Sequence, residues 1–230
     1  MTQSASFDKP HAVLFDMDGL IVDTEPIHFK AFQAYMRRFE VDLPESVMPE
    51  FLGYTEEDNL RDLREQYELD KPLREMVAER GAIYLELVKS EPLRVFAGFW
   101  ELCEEARGRG MKLGVVSSAN GQQVEIILGR LFEEHREGET AAKFFDVVVT
   151  GDDIAKNKPA PEIYLLAAER LGVPPALCLA FEDTPPGVQS AASAGMCVLA
   201  VPNEYSRGLK FPGAMRVIES LEEGVGFLGF

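Results

Sequence analysis

Short apolar runs of four or five residues recur along the chain, each cut off by polar or charged residues, and between most of them the apolar positions fall three or four apart. Runs of that length, about 5 residues, read as buried β-strands, and the wider spacing reads as amphipathic helix. The strand candidates are Ala12 to Phe15, Lys112 to Val116, Phe145 to Val149, Leu177 to Phe181 and Cys197 to Val201. Helices are predicted over Phe99 to Arg107, Gln122 to Phe132, Pro161 to Leu171 and Gly187 to Ala194. Strand and helix in alternation predict βαβ units, hence an α/β fold with a doubly wound, Rossmann-like parallel sheet covered on both faces.

One region breaks the alternation. From Glu25 to about Lys89 the spacing is helical throughout, as in Phe29, Phe32, Met36 and Phe39, and again in Ile83, Tyr84, Leu87 and Val88. No strand candidate interrupts it, so it predicts an all-helical insertion. The expected division is a core domain of residues 1–22 and 92–230 and a helical domain of residues 23–91. The polar segment Glu133 to Glu139, with its four glutamates, is expected to be a solvated loop.

Composition narrows the classes. With 230 residues, 46% hydrophobic and 27% charged, the chain can bury a full core, which excludes disorder, collagen-like repetition and a disulfide-stapled miniprotein. Lys plus Arg number 23 and Asp plus Glu 39, a net charge of −16 that repels nucleic acid and anionic lipid. A small anionic substrate would need a local cluster of positive charge. Cys103, Cys178 and Cys197 lack the spacing of a thiolate metal site or a disulfide framework and suit a reducing compartment. Met1 to His11 lacks the order of a signal peptide, and no apolar stretch approaches the roughly 18 residues of a membrane helix, so a cytoplasmic location is expected, with a monomer favoured.

Four strand candidates end in related chemistry. The groups are Asp16-Met17-Asp18-Gly19, then Ser117-Ser118-Ala119-Asn120, then Gly151-Asp152-Asp153 followed by Lys156-Asn157-Lys158-Pro159, and last Glu182-Asp183-Thr184. Ligands of open parallel sheets bind beyond the carboxyl ends of the strands, where these groups would converge. Crowded carboxylates raise one another's pKa unless a cation is present, and hard oxygen donors suit Mg²⁺. Asp16, Asp18, Glu182 and Asp183 are therefore candidate metal ligands. Ser117 and Ser118, at a strand-to-helix junction, can supply donors to phosphate oxygens, and Lys158 adds positive charge. Taken singly, each has an ordinary alternative: Asp-x-Asp as a turn, Ser117 and Ser118 or Glu182-Asp183 as helix caps, Lys158 as a surface residue.

Phe15-Asp16-Met17-Asp18-Gly19-Leu20-Ile21-Val22-Asp23-Thr24-Glu25-Pro26 resembles the first signature of the haloacid dehalogenase-like superfamily, in the branch with a helical cap after the first strand. Ser117 resembles its second signature, Lys158-Pro159-Ala160-Pro161-Glu162-Ile163-Tyr164 its third, and Phe181-Glu182-Asp183-Thr184-Pro185-Pro186-Gly187-Val188 its fourth. The pattern is similar to β-phosphoglucomutase-like phosphatases and mutases. The resemblance implies Asp16 as nucleophile, Asp18 as general acid and base, and Ser117 and Lys158 as phosphate binders. It implies Mg²⁺ on Asp16, Asp183, Glu182 and the backbone carbonyl of Asp18, and a small phosphorylated metabolite as substrate.

Some positions depart from the pattern. The mutases carry a cap arginine two residues beyond the position matched by Tyr54, where this chain has Glu56, and a cap lysine where it has Gly81. His28 matches a mutase histidine and is a candidate substrate contact. Loss of both cations favours hydrolysis over a sugar phosphomutase, and a non-catalytic metal- or phosphate-binding module is the alternative from another class. Thr184 replaces the usual serine, and Pro185-Pro186 is unusual. Gly224-Val225-Gly226-Phe227-Leu228-Gly229 matches a dinucleotide-binding pattern literally but leads into no helix.

Overall fold

The computed structural model describes residues 9–51 and 55–229; Tyr54 and most of the stretch from Met1 to His11 lie outside them. The chain divides into two compact units, residues 1–23 with 94–230, and residues 24–93.

The first unit holds a parallel sheet of six strands: β1 (Ala12–Phe15), β4 (Lys112–Val116), β5 (Val147–Val149), β6 (Cys178–Glu182), β7 (Cys197–Ala200) and β8 (Arg216–Val217), in the order β5-β4-β1-β6-β7-β8. β1 is central, with Phe15 level with Val115 of β4 on one side and Phe181 of β6 on the other. Alternate residues of a strand face opposite sides of the sheet. Ala12 and Leu14 pack into a cluster with Ile163, Tyr164 and Ala167 of α7 (Glu162–Leu171) and Val188 and Ala191 of α8 (Pro185–Ser193). Phe15 instead meets Phe99 of α4 (Phe99–Gly108), ring centroids 5.4 Å apart. Helices thus cover both faces, the doubly wound arrangement expected from the alternation, and a strand buried on both sides can be apolar throughout.

The differences in detail have local causes. The helix predicted from Gln122 runs as α5 over Gly121–His135, because Asn120 and Gln123 form a reciprocal capping box at its start. The segment Glu133 to Glu139 is not simply a solvated loop. Its first three residues complete α5, and Arg136 packs over the rings of Trp100 and Phe144 at 5.4 and 5.0 Å while pairing with Glu104 and Glu139. The short helix α6 (Ala141–Phe144) then shortens the predicted strand to Val147–Val149. Two further pairings are too short for a periodic signal: β8, and the antiparallel pair β2 (Val22–Asp23) with β3 (Arg94–Val95), where Arg94 Nη2 lies 2.9 Å from Asp23 Oδ2. The literal glycine pattern at 224–229 starts at the last residue of α9 (Leu221–Gly224) and continues into a single 3₁₀ turn, so it builds no nucleotide-binding helix.

The second unit is helical over its described residues. α1 (Glu25–Met36), α2 (Glu56–Gln66) and α3 (Leu73–Ser90) enclose Phe29, Phe32, Tyr35, Met36, Leu60, Leu63 and Met76. An ion lies inside this apolar set. Arg80 of α3 is fully buried, with Nη1 3.2 Å from Glu56 Oε1, Nη2 donating to the His28 carbonyl at 2.6 Å, and the guanidinium 4.2 Å from the Phe32 ring. Arg80 Nη2 also lies 3.0 Å from His28 Nδ1. Arginine can only donate, so Nδ1 accepts and the imidazole proton belongs on Nε2.

The His28 ring lies flat on Tyr84 at 3.9 Å, and burial, followed by the charge of Arg80, holds its pKa well below 6.5. The folded unit therefore binds fewer protons than the unfolded chain, which makes stability rise with pH. His28 contributes fully above its unfolded pKa, and the contribution is lost as pH falls from about 6.5 toward the folded value, by up to about 1.4 kcal/mol per pH unit. Urea unfolding from neutral pH down to about pH 5 should show this loss, with a shallower slope in His28→Gln; equal slopes would contradict it.

Candidate active site

The sheet order places the site. β1 lies between β4 and β6, so residues just past their carboxyl ends become neighbours at the switch point of the sheet. Asp16 follows β1, and its N–H donates to the Phe181 carbonyl at 3.1 Å; Ser117 follows β4, and its N–H donates to the Val149 carbonyl at 3.0 Å. Glu182 ends β6 and Asp183 follows it. Asp16, Ser117, Glu182 and Asp183 are all buried.

Lys158 arrives from the loop before α7. Its Nζ donates to Asp16 Oδ1 at 2.6 Å, to Glu182 Oε1 at 2.7 Å and to the Val116 carbonyl at 3.2 Å. Six residues on, Tyr164 donates its hydroxyl to Glu182 Oε1 at 2.6 Å. Burial opposes the Lys158 ammonium, but Asp16 and then Glu182 outweigh it and raise its pKa, so it stays charged. Glu182 is pushed up to about 7 by burial and then by Asp16, against the pull of Lys158 and Tyr164.

Asp18 sits in the turn after β1, where the N–H groups of Leu20, Ile21 and Val22 all donate to the Met17 carbonyl. Ser117 Oγ lies 3.3 Å from Asp18 Oδ2, joining the first and second strand-end groups. Gly19 closes this turn at φ +81°, and a Cβ there would fall 2.3 Å from Asp183 Oδ2, so only glycine fits. The helix-cap alternatives also resolve. α5 is capped by Asn120, and α8 by Thr184, whose Oγ accepts from the Gly187 N–H at 3.3 Å. The threonine hydroxyl does this work in full, and Pro185 and Pro186 occupy the first turn, where a missing N–H is tolerated.

Other sequence candidates stand apart. Ser118 is exposed and donates its hydroxyl to Asn157 Oδ1 at 2.7 Å. Asp152 accepts from the Gly121 N–H at 2.8 Å, and Asp153 binds Thr150 and Arg170, so these acids serve local structure. His28 belongs to the helical unit described above. Tyr164 and Asn203 join the cluster without having been singled out as site residues. Asn203 carries neither charge nor motif, and only the fold brings it to Asp183, so the sequence held no signal for it.

The sequence pattern of the haloacid dehalogenase-like hydrolase family matches residues 13–201, which includes every strand-end group just described. The chain belongs to that family. Among its relatives, the phosphorylated carbohydrates phosphatase of Thermotoga maritima is 34% identical over 189 residues, covering 80% of this chain and 82% of that protein. The crystal structure of CbbY from Rhodobacter sphaeroides in complex with phosphate superposes with a TM-score of 0.80 at 28% identity, covering 96% of this chain and all of that one. A mutant of the same CbbY has been crystallised with xylulose-(1,5)-bisphosphate; it superposes at 0.77 with 28% identity, covering 93% and 96% of the two chains.

The family's use of Mg²⁺ can be tested on the donor set. Oxygen atoms of Asp16, Glu182 and Asp183 all lie within 4.8 Å of one another. Three carboxylates against one lysine leave an excess of negative charge in a buried place, and hard oxygen donors are what Mg²⁺ takes. The residues present therefore fit a divalent cation. A ligand that binds only the folded state stabilises it, by about 2.7 kcal/mol at a hundredfold excess over Kd. Thermal unfolding should accordingly shift upward with Mg²⁺, and the shift should disappear in Asp183→Asn; no shift in the wild type would contradict the fit.

Proposed function

We propose that this chain is a Mg²⁺-dependent phosphatase that hydrolyses a small phosphorylated metabolite, such as a sugar or nucleotide phosphate, through an aspartyl-phosphate at Asp16. The observation that carries the reading is the Lys158 ammonium seated between Asp16 and Glu182 at the carboxyl edge of the sheet, with Ser117 and Asp183 alongside. It is the local cation that an acidic protein needs to hold an anion.

In this reading an Asp16 oxygen attacks phosphorus, the bond from phosphorus to the leaving oxygen breaks, and Asp18 gives that oxygen a proton. A water then attacks the same phosphorus, Asp18 takes a proton from it, and the bond between Asp16 and phosphorus breaks to release phosphate. Lys158 and the Ser117 hydroxyl bind the phosphoryl oxygens and offset their charge. Mg²⁺ would be held by Asp16, Asp183, Glu182 and the Asp18 carbonyl, and when bound it supplies further positive charge for those oxygens. Ser118 is the outer phosphate-binding candidate.

Hydrolysis is preferred to phosphoryl transfer between positions of a sugar because of the helical unit's charges. Glu56 and Gly81 stand where the mutase pattern has cations, and Arg80, beside them, is fully buried and already committed to Glu56 and His28. His28, with its proton on Nε2, is a candidate substrate contact. The sugar-phosphate chemistry named for the Thermotoga maritima and Rhodobacter sphaeroides relatives supports the substrate class. Free cysteines at 103, 178 and 197 suit a cytoplasmic enzyme, and a monomer is favoured over an oligomer.

Phosphate release from p-nitrophenyl phosphate with Mg²⁺ should fall by about a thousandfold or more in Asp16→Asn, and a hexose 1-phosphate should yield free phosphate. Equal rates in variant and wild type would remove the reading, and a 6-phosphate product would replace it with the mutase.

A further inference from the structure

We infer that Asn203 is a positioning residue that holds the Asp183 carboxylate and the turn carrying Asp18 in one fixed relation. The inference rests on the metal-dependent reading above. Asn203 lies in the loop after β7 and is buried. Its Nδ2 donates to Asp183 Oδ2 at 2.9 Å and to the Gly19 carbonyl at 2.9 Å. An amide NH₂ has two protons, so both are used. Its Oδ1 accepts the N–H groups of Tyr205 at 2.8 Å and Ser206 at 3.1 Å, and Ser206 Oγ accepts the Asn203 N–H at 3.1 Å.

The amide is therefore locked on one side by its own turn and on the other spans two strand ends. One side-chain nitrogen thus ties Asp183 Oδ2 to the Gly19 turn. That spacing is already at its limit, since a Cβ on Gly19 would meet Asp183 Oδ2 at 2.3 Å and Asn203 Nδ2 at 2.8 Å. Asp18 immediately precedes Gly19, so the amide that orients a metal-ligand candidate through one bond also places, through the other, the proposed acid and the backbone carbonyl offered to the metal. Hydrogen-bonding partners of metal ligands orient them, and their loss commonly reduces metal affinity or activity by about 10- to 100-fold. An aspartate at 203 would keep the side chain's shape and its acceptor role in the turn but could not donate to either partner.

The test separates positioning from support of the loop. Mg²⁺ binding is measured by calorimetry, without substrate, on the wild type, Asn203→Ala and Ser206→Ala, together with kcat, KM and Tm. Ser206→Ala loosens the turn but leaves both Nδ2 bonds, and it should lower Tm while Mg²⁺ affinity stays within about twofold. Asn203→Ala should weaken Mg²⁺ binding by about tenfold or more and lower kcat more than it raises KM. Should Asn203→Ala fail to fold, Asn203→Asp, whose new oxygen faces Asp183 Oδ2 and the Gly19 carbonyl, should lower Tm and lose about tenfold or more in kcat. Wild-type Mg²⁺ affinity in folded Asn203→Ala, full kcat in Asn203→Asp, or the same loss of Mg²⁺ affinity in Ser206→Ala would overturn the assignment. A wild type that binds Mg²⁺ but releases no phosphate from any phosphomonoester would sink the phosphatase reading and leave the calorimetric comparison intact.

Discussion

Lys158 Nζ stands 2.6 Å from Asp16 Oδ1 and 2.7 Å from Glu182 Oε1, and all three side chains are nearly withdrawn from water. Taking ions out of water costs several kcal/mol each, which only close pairing and further hydrogen bonds offset. That condition constrains the core's architecture around the site. β1 must lie between β4 and β6 to bring Asp16 beside Glu182, and the loop before α7 must carry Lys158 over the edge of the sheet. Tyr164, in the first turn of α7, then supplies the additional hydrogen bond to Glu182. Even so, one ammonium does not balance Asp16, Glu182 and Asp183, and the residual charge is what makes a divalent cation and a phosphoryl group compatible partners for the same place.

Much of this was legible in the sequence because it repeats. Four of the five strand candidates end in a polar group, and a parallel sheet explains why acidic, hydroxyl and ammonium residues far apart in the chain should share that position. The features that escaped are those with no period and no charge. β8, laid along β7, and the separate pairing of β2 with β3 are two-residue ladders too short to show a period. Asn203 is an ordinary turn residue until the fold brings its amide to Asp183. The Glu133 to Glu139 stretch misleads in the opposite direction, since its charges suggest solvent while Arg136 spends its guanidinium on Trp100 and Phe144.

The helical unit shows how a substitution read as a local charge change can be absorbed by packing. Glu56, taken alone, looks like a carboxylate added where the mutase pattern has a cation. In the structure its charge is met by Arg80, and the pair together with His28 forms a neutralised, largely buried set against Phe32 and Tyr84. Glu56 thus belongs to a packed set of several residues, in which burial and Arg80 disfavour the charged form of His28.

The most direct test of the central claim is a crystal structure grown with Mg²⁺ and beryllium fluoride, a mimic of a phosphoryl group bonded to a carboxylate. The account predicts beryllium bonded to an Asp16 oxygen, fluorides in contact with Lys158 Nζ and Ser117 Oγ, and the metal ion on Asp16 and Asp183. Beryllium fluoride or Mg²⁺ bound at other residues, with Ser117 untouched, would contradict it.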